Sequence, residues 1–136
     1  MATDIRFSVP NTPGSMERAA RALANEGVSI SGVGCDIRPG ERWGYIHFLV
    51  TEPETAIRAL QDIGLEILDV HEVDVLDTEE RVGFLADVCH SYSERGENIE
   101  VLYAGMHQKI IVGTESQRKP FVGRRLSETK YSDGLR

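Results

Sequence analysis

The chain has 136 residues, 40% of them hydrophobic and 27% charged, and a net charge of −7 at pH 7. That is room for one ordinary domain or two small ones, and no apolar run approaches the ~20 residues of a membrane-spanning helix. Residues 117–136 carry a local charge of +4, leaving −11 on the first 116; an acidic body argues against nucleic acid as a main partner, because such a face is basic across the folded domain.

Ile5, Phe7 and Val9 alternate with polar neighbours, the period-two mark of a half-buried strand. Pro10-Asn11-Thr12-Pro13-Gly14 stops it. Asn11 or Thr12 is placed to cap the helix that follows, and Pro13 suits its first turn. Met16, Ala19, Ala20, Leu23 and Ala24 form one apolar helix face, and Gly27 stands where a left-handed C-terminal cap belongs. Val28 to Ile37 reads as a strand in which Gly32 and Gly34 mark a bulge or a close backbone approach. Pro39-Gly40 turns the chain into a dense apolar strand, Tyr45 to Val50. Thr51-Glu52-Pro53-Glu54 has capping-box spacing and opens a second helix with the stripe Ala56, Ile57, Leu60 and Ile63, ended by Gly64. Leu65 to Val70 is a further strand. This β-α-β-β-α-β order is ferredoxin-like and predicts an α+β fold with an antiparallel sheet.

The pattern then begins again, with a strand at Val73 to Leu76, a helix from about Glu80 to Arg95, and strands at Asn98 to Tyr103 and Lys109 to Val112. After Ser116 neither an amphipathic helix nor a closing strand follows. The predicted organisation is a first unit at residues 1–70, a truncated second unit at 71–116 and a basic tail at 117–136, flexible unless a partner orders it. The two units agree at an offset of 69 positions: Gly14 with Gly83, Met16 with Leu85, Ala19 with Val88, Leu23 with Tyr92, Gly27 with Gly96 and Ile30 with Ile99. Such self-similarity marks a repeated supersecondary unit. Halves this small are each marginal alone, which predicts that they pack together and that the chain dimerises.

Val9-Pro10-Asn11-Thr12-Pro13-Gly14-Ser15-Met16 resembles the strand-to-helix corner of the ACT domain family. Gly27-Val28-Ser29-Ile30 and Gly96-Glu97-Asn98-Ile99 resemble the glycine–x–Asn–Ile approach to that family's second strand. The resemblance covers roughly residues 4–114, in tandem. It implies a sensor of a small molecule, usually an amino acid, with two units side by side in one eight-stranded sheet and helices on one face. It also implies that ligand sits at the seam, between the first loop of one unit and the second strand of its neighbour. There a glycine lets the backbone approach, a helix N-terminus suits a carboxylate, and an Asn can donate and accept at once. Carried onto this sequence, one site combines Asn11, Thr12, Pro13, Gly14, Ser15 and Met16 with Asn98 and Ile99. A second, weaker site combines Glu80, Val82, Gly83 and Phe84 with Ser29 and Ile30; here Glu80 stands at the Asn11 position, Val82 replaces proline and Ser29 replaces Asn98. No metal and no cofactor is implied.

Other constellations carry less. His71, Glu72, Asp74 and Asp77 read as polar residues on the exposed face of a strand, since adjacent strand residues point opposite ways. Cys35 and Cys89 form no CxxC and read as two buried thiols in a reducing compartment. The opening Met1–Arg6 lacks the basic and long apolar regions of a secretory signal, so the expectation is a cytoplasmic chain. Trp43, beside a hairpin turn, either covers a sheet edge or offers a partner-binding point, and the basic tail either docks on the acidic body or stays solvated.

The leading expectation is thus a regulatory protein, not an enzyme, that senses an amino acid or similar metabolite and signals to a partner enzyme or through its own dimer. Two alternatives stay open. One is an interaction subunit that has lost its ligand. The other is a small enzyme on the same frame, with His47 or Glu80 as the first suspects.

Overall fold

The computed structural model describes residues 2–119; the expectations for residues 120–136, Phe121, Arg124 and Arg125 included, lie outside the described residues. In chain order the elements are β1 (Thr3–Pro10), α1 (Ser15–Asn25), β2 (Gly32–Asp36), β3 (Trp43–Val50), α2 (Pro53–Asp62), β4 (Ile67–Glu72), β5 (Asp74–Asp77), α3 (Phe84–Glu94), β6 (Ile99–Gly105), β7 (Lys109–Thr114), a 3-10 turn (Glu115–Gln117) and β8 (Arg118–Lys119). All eight strands join one antiparallel sheet in the order β5-β7-β6-β2-β3-β1-β4-β8. Among the described residues no helix is long and apolar enough to cross a membrane.

The period-two pattern of β1 sends Ile5, Phe7 and Val9 to one face, where all three are fully buried. Ile46, Phe48 and Val50 of β3 lie beside them, with the Phe7 and Phe48 rings edge-on at 4.9 Å. Ala19 and Leu23 of α1 and Ala56, Ala59 and Leu60 of α2 close over this face to make the main core. In the second half Val88 and Tyr92 of α3 cover Val112 of β7, a much smaller cluster. The strand register carries the helix-side face of β3 through β2 and β6 to β7, so all three helices lie on one side of the sheet.

The helix starts and ends of the two units repeat closely. Gly14 and Gly83 are the N-terminal caps, at φ +88° and +91°, a left-handed conformation that favours glycine. The Arg18 N–H donates to Gly14 O and the Asp87 N–H to Gly83 O, both at 3.0 Å. At the far ends the Val28 N–H donates to Leu23 O and the Glu97 N–H to Tyr92 O, again both at 3.0 Å.

Four expectations are corrected. No side chain caps α1 or α2: Asn11 and Thr12 bond elsewhere, Glu52 rather than Thr51 is the N-cap residue of α2 and makes no side-chain cap bond, and the capping box forms instead at Thr114 and Gln117. Strand β2 begins only at Gly32, because the Val28 N–H is taken by the end of α1. Cys35 is exposed and Cys89 half-exposed, since no helix covers the outer face of β2 and Cys89 stands at the edge of α3. A strand does follow Ser116: Arg118 and Lys119 pair with His71 and Val70, so the chain returns from its second half to the edge of its first.

Candidate functional site

The Asn11–Met16 corner is built by the hairpin beside it. The Asn11 N–H donates to Arg42 O at 2.9 Å, and its side-chain Nδ2 donates to Glu41 O at 2.8 Å and Arg38 O at 3.3 Å. The residue read as a cap is therefore a tie between corner and hairpin. Thr12 Oγ1 lies 3.0 Å from Ser15 Oγ, Pro13 is exposed, and Met16 packs partly buried against the core. A Cβ on Gly14 would meet nothing within 4 Å, so the start of α1 stands open, with no side chain capping it.

The second corner is longer. Three residues separate Pro10 from Gly14, and five separate Asp77 from Gly83. Thr78 there does what Asn11 does in the first: its N–H and its Oγ1 each donate to Gln108 O at 3.0 Å. By hydrogen bonding it is Thr78, not Glu80, that occupies the Asn11 position. Val82 is fully exposed, and Arg81 reaches Glu79 at 3.0 Å and Asp87 at 2.9 Å while lying over Phe84. Ser29 is exposed and Ile30 packs against the main core. Within one chain no hydrogen bond among the described residues joins Asn11–Met16 to Asn98 or Ile99, or Glu80–Phe84 to Ser29 or Ile30.

Ile99 instead packs toward α3 beside Val88, Tyr92 and Val112, while the exposed Asn98 stands at the entry to β6, on the rim of the cleft that opens on the face of the sheet without helices. β2 and β6 meet at a single register pair, Gly32 with Gly105. A Cβ on Gly32 would stand 3.1 Å from both Leu49 Cβ and the Tyr103 ring, which is the close approach its sequence suggested. At this seam the sheet bends, and the helix-free faces of the two halves turn toward each other. One end of the fold is apolar, with Leu49, Val73 and Ile111 packed among Ala2 and Tyr103. The other end is polar, a cleft of about 600 Å³ reached by β1, β3, β4, β6 and β8.

At its wall Asp4, 1% exposed, accepts hydrogen bonds from Tyr103 Oη at 2.7 Å and from His47 Nδ1 at 2.9 Å. This three-residue bolt crosses from β1 and β3 of the first half to β6 of the second. Burial, then the Asp4 charge, pushes the Tyr103 hydroxyl far above the ordinary range for a phenol, so it stays a donor. His71, 3% exposed, donates through Nε2 to Thr114 O at 2.6 Å. Its burial corrects the reading of an exposed polar face. The missing side chain of Gly113 makes room for its ring, as a Cβ there would stand 3.3 Å from His71 Cδ2. Glu72 pairs with Lys119, Asp74 accepts from Tyr92 Oη at 2.7 Å, and Asp77 pairs with Lys109, so the four residues of that cluster go separate ways.

Arg6 lies 4.7 Å over the Tyr45 ring and 3.7 Å from Asp69. Arg118 grips Glu100 through two hydrogen bonds, one of them Nε to Oε1 at 3.0 Å. The guanidinium holds the Glu100 carboxyl below the usual carboxylate range, and the carboxylate raises Arg118 in turn. The Asn98 amide has no side-chain partner among the described residues. Nor do these residues bring three or more His, Cys, Asp or Glu side chains together as metal ligands. The polar set was visible in sequence only as the off-beat positions of β1, Asp4 and Arg6; nothing local could show what would face them.

No model of a protein family matches the chain, and no curated protein matches it. Solved structures do. The regulatory subunit of aspartate kinase from Thermus thermophilus, in its ligand-free form, superposes with a TM-score of 0.64 at 17% identity over 99% of this chain and 93% of its own. The regulatory subunit of aspartate kinase from Thermus flavus gives 0.62 at 19% identity, over 85% of this chain and 83% of its own. A structure of aspartokinase alpha and beta subunits gives 0.59 at 20% identity, over 96% of this chain and 93% of its own. The fold is thus the ACT-like one that the corner motifs resemble, shared along most of the chain with proteins described as regulatory subunits.

Proposed function

We propose that this chain is a non-catalytic regulatory protein of the cytoplasm that binds an amino acid or similar small metabolite and passes that state to a partner enzyme or through its own dimer. The observation that carries the reading is the open Gly14 corner, recurring at Gly83, inside one sheet shared by two halves. The halves are read as tandem ACT units, residues 1–70 and a truncated 71–116. Since no hydrogen bond joins Asn11–Met16 to Asn98 or Ile99 within one chain, the seam site is read as completed between two copies: the corner of one offers backbone N–H groups, and Asn98 of the other offers its amide. Val33 and Leu102, exposed on adjoining strands at the seam, and Leu85 on α3 are the apolar side chains a second copy would cover. Coupling to a partner follows if ligand binds two dimer geometries unequally.

One observation favours a subunit that has lost its ligand: the Asn11 amide already spends its donors on the hairpin carbonyls. A thermal-shift screen of the full chain against the standard L-amino acids separates the two readings. A binder at about a hundredfold over its Kd adds about 2.7 kcal/mol of stability and raises the melting temperature. A panel that moves it nowhere overturns the sensor reading and leaves the interaction subunit.

A further inference from the structure

We infer that the interior cleft is a binding site in its own right, complete within one chain, for a small zwitterion such as a free α-amino acid, which lodges between Arg118 and Glu100. This goes beyond the seam site, which needs two copies and is built around the Gly14 corner rather than the cleft.

The volume, about 600 Å³, lies in the range of small-ligand pockets. Two guanidinium groups, Arg6 and Arg118, face three carboxylates, Asp4, Asp69 and Glu100, so both signs are offered at close quarters with little net charge. That mixture, one carboxylate in excess, disfavours a polyanion and matches a molecule carrying one charge of each sign. The groups are not equal. Asp4 is engaged by Tyr103 and His47 and forms wall. The Arg118–Glu100 pair is different, for Arg118 remains 39% exposed. An exposed pair contributes little to stability, so exchanging it for a ligand is cheap. The ligand carboxylate replaces Glu100 on the Arg118 fork, a planar two-point match, and its ammonium replaces Arg118 on Glu100.

Two further groups await a partner. His71 commits its Nε2–H to Thr114 O, so in the neutral ring Nδ1 is an acceptor, and it has no partner among the described residues. The Asn98 amide is likewise unpartnered and sits at the same cleft. Charged side chains on this face are otherwise hard to explain, because its other end is filled by Leu49, Val73 and Ile111. A ligand here touches β8, held on β4 of the first half, and β6 of the second, so its arrival acts on the bend between them.

The test is titration calorimetry of the full chain with each standard L-amino acid, on wild type, Glu100→Gln, Arg118→Gln and Gly14→Ala, with circular dichroism to confirm folding. Losing one charge-assisted contact weakens binding by about ten- to hundredfold. The expected result is an amino acid that binds wild type and binds each cleft variant that much more weakly. On wild type, the amine lacking the carboxylate and the acid lacking the ammonium both lose most of the affinity, a readout independent of any substitution. Equal binding by either analogue, or cleft variants that bind as wild type, overturns the cleft site. Binding lost in Gly14→Ala alone overturns it too and leaves the seam reading standing. A wild type that binds no amino acid ends both.

Discussion

The two halves share a corner to within a few degrees and a tenth of an ångström, yet they are held together differently. The first buries fourteen hydrophobic residues between its sheet and two helices. The second buries three, Val88 and Tyr92 on α3 itself and Val112 beneath them. With so little core of its own, the second half must use the other face of its strands, and Ile111 goes into the fold against Leu49 and Val73. The same backbone unit is therefore self-supporting in one copy and dependent in the other. Leu23 and Tyr92, at matched positions, show it: an aliphatic side chain suffices in the first, whereas the second adds a hydrogen bond from Tyr92 to Asp74.

Leu23→Ala should have the largest effect, about 2–5 kcal/mol of stability in urea unfolding, because the fully buried site cannot collapse around the loss. Tyr92→Phe keeps the ring and should cost about 1 kcal/mol, for the lost bond. A Tyr92→Phe cost above that of Leu23→Ala would invert the comparison.

Next comes the bolt. Tyr103→Phe removes the Oη bond to Asp4 that ties the halves and should cost about 1–3 kcal/mol, the carboxylate being buried. It also sharpens an alkaline effect. Tyr103 is shifted upward, and burial followed by the Asp74 hydrogen bond pushes Tyr92 up to about 12. A phenol that holds its proton more tightly when folded stabilises the fold below the unfolded value of ~10. That contribution is lost as pH rises, for Tyr92 across the window up to about 12. Urea midpoints should therefore fall with pH above that lower limit in wild type, and the slope should flatten when both tyrosines are Phe. An unchanged slope would remove these two groups from the account.

The smallest effect tests the likeness itself. Gly14→Ala and Gly83→Ala force the same left-handed backbone on a residue with a Cβ, in open space in both places. Each should cost about 1 kcal/mol, and the two costs should agree. A gap as large as the cost itself would mean the corners are alike in shape only.

Much of this was legible in the chain. The alternation of Ile5, Phe7 and Val9 and the paired glycines at 14 and 27, 83 and 96 dictate β1, α1 and α3 through local rules, and local rules are what a sequence displays. The seam was half legible, since Gly32 signalled a close approach without saying to what. What escaped depends on distant partners. His71 is buried because Gly113, 42 positions on, leaves space for its ring. Cys35 is exposed because no helix extends over β2. β8 is too short to carry a period and exists only because β4 offers an edge. Asn11 was found by motif and misassigned in role, for a capping residue and a hairpin tie look identical until the hairpin's carbonyls are in place.

Several fastenings hold the halves: the direct run of chain from β4 into β5, the Gly32–Gly105 crossing, the Tyr103–Asp4 bolt, the shared Leu49, Val73 and Ile111 cluster, and the Arg118–Glu100 clasp that brings β8 home. Opening the clasp would loosen one wall of the cleft without unfolding any element, so the spacing between β8 and β6 would become the variable that a neighbouring protein can read.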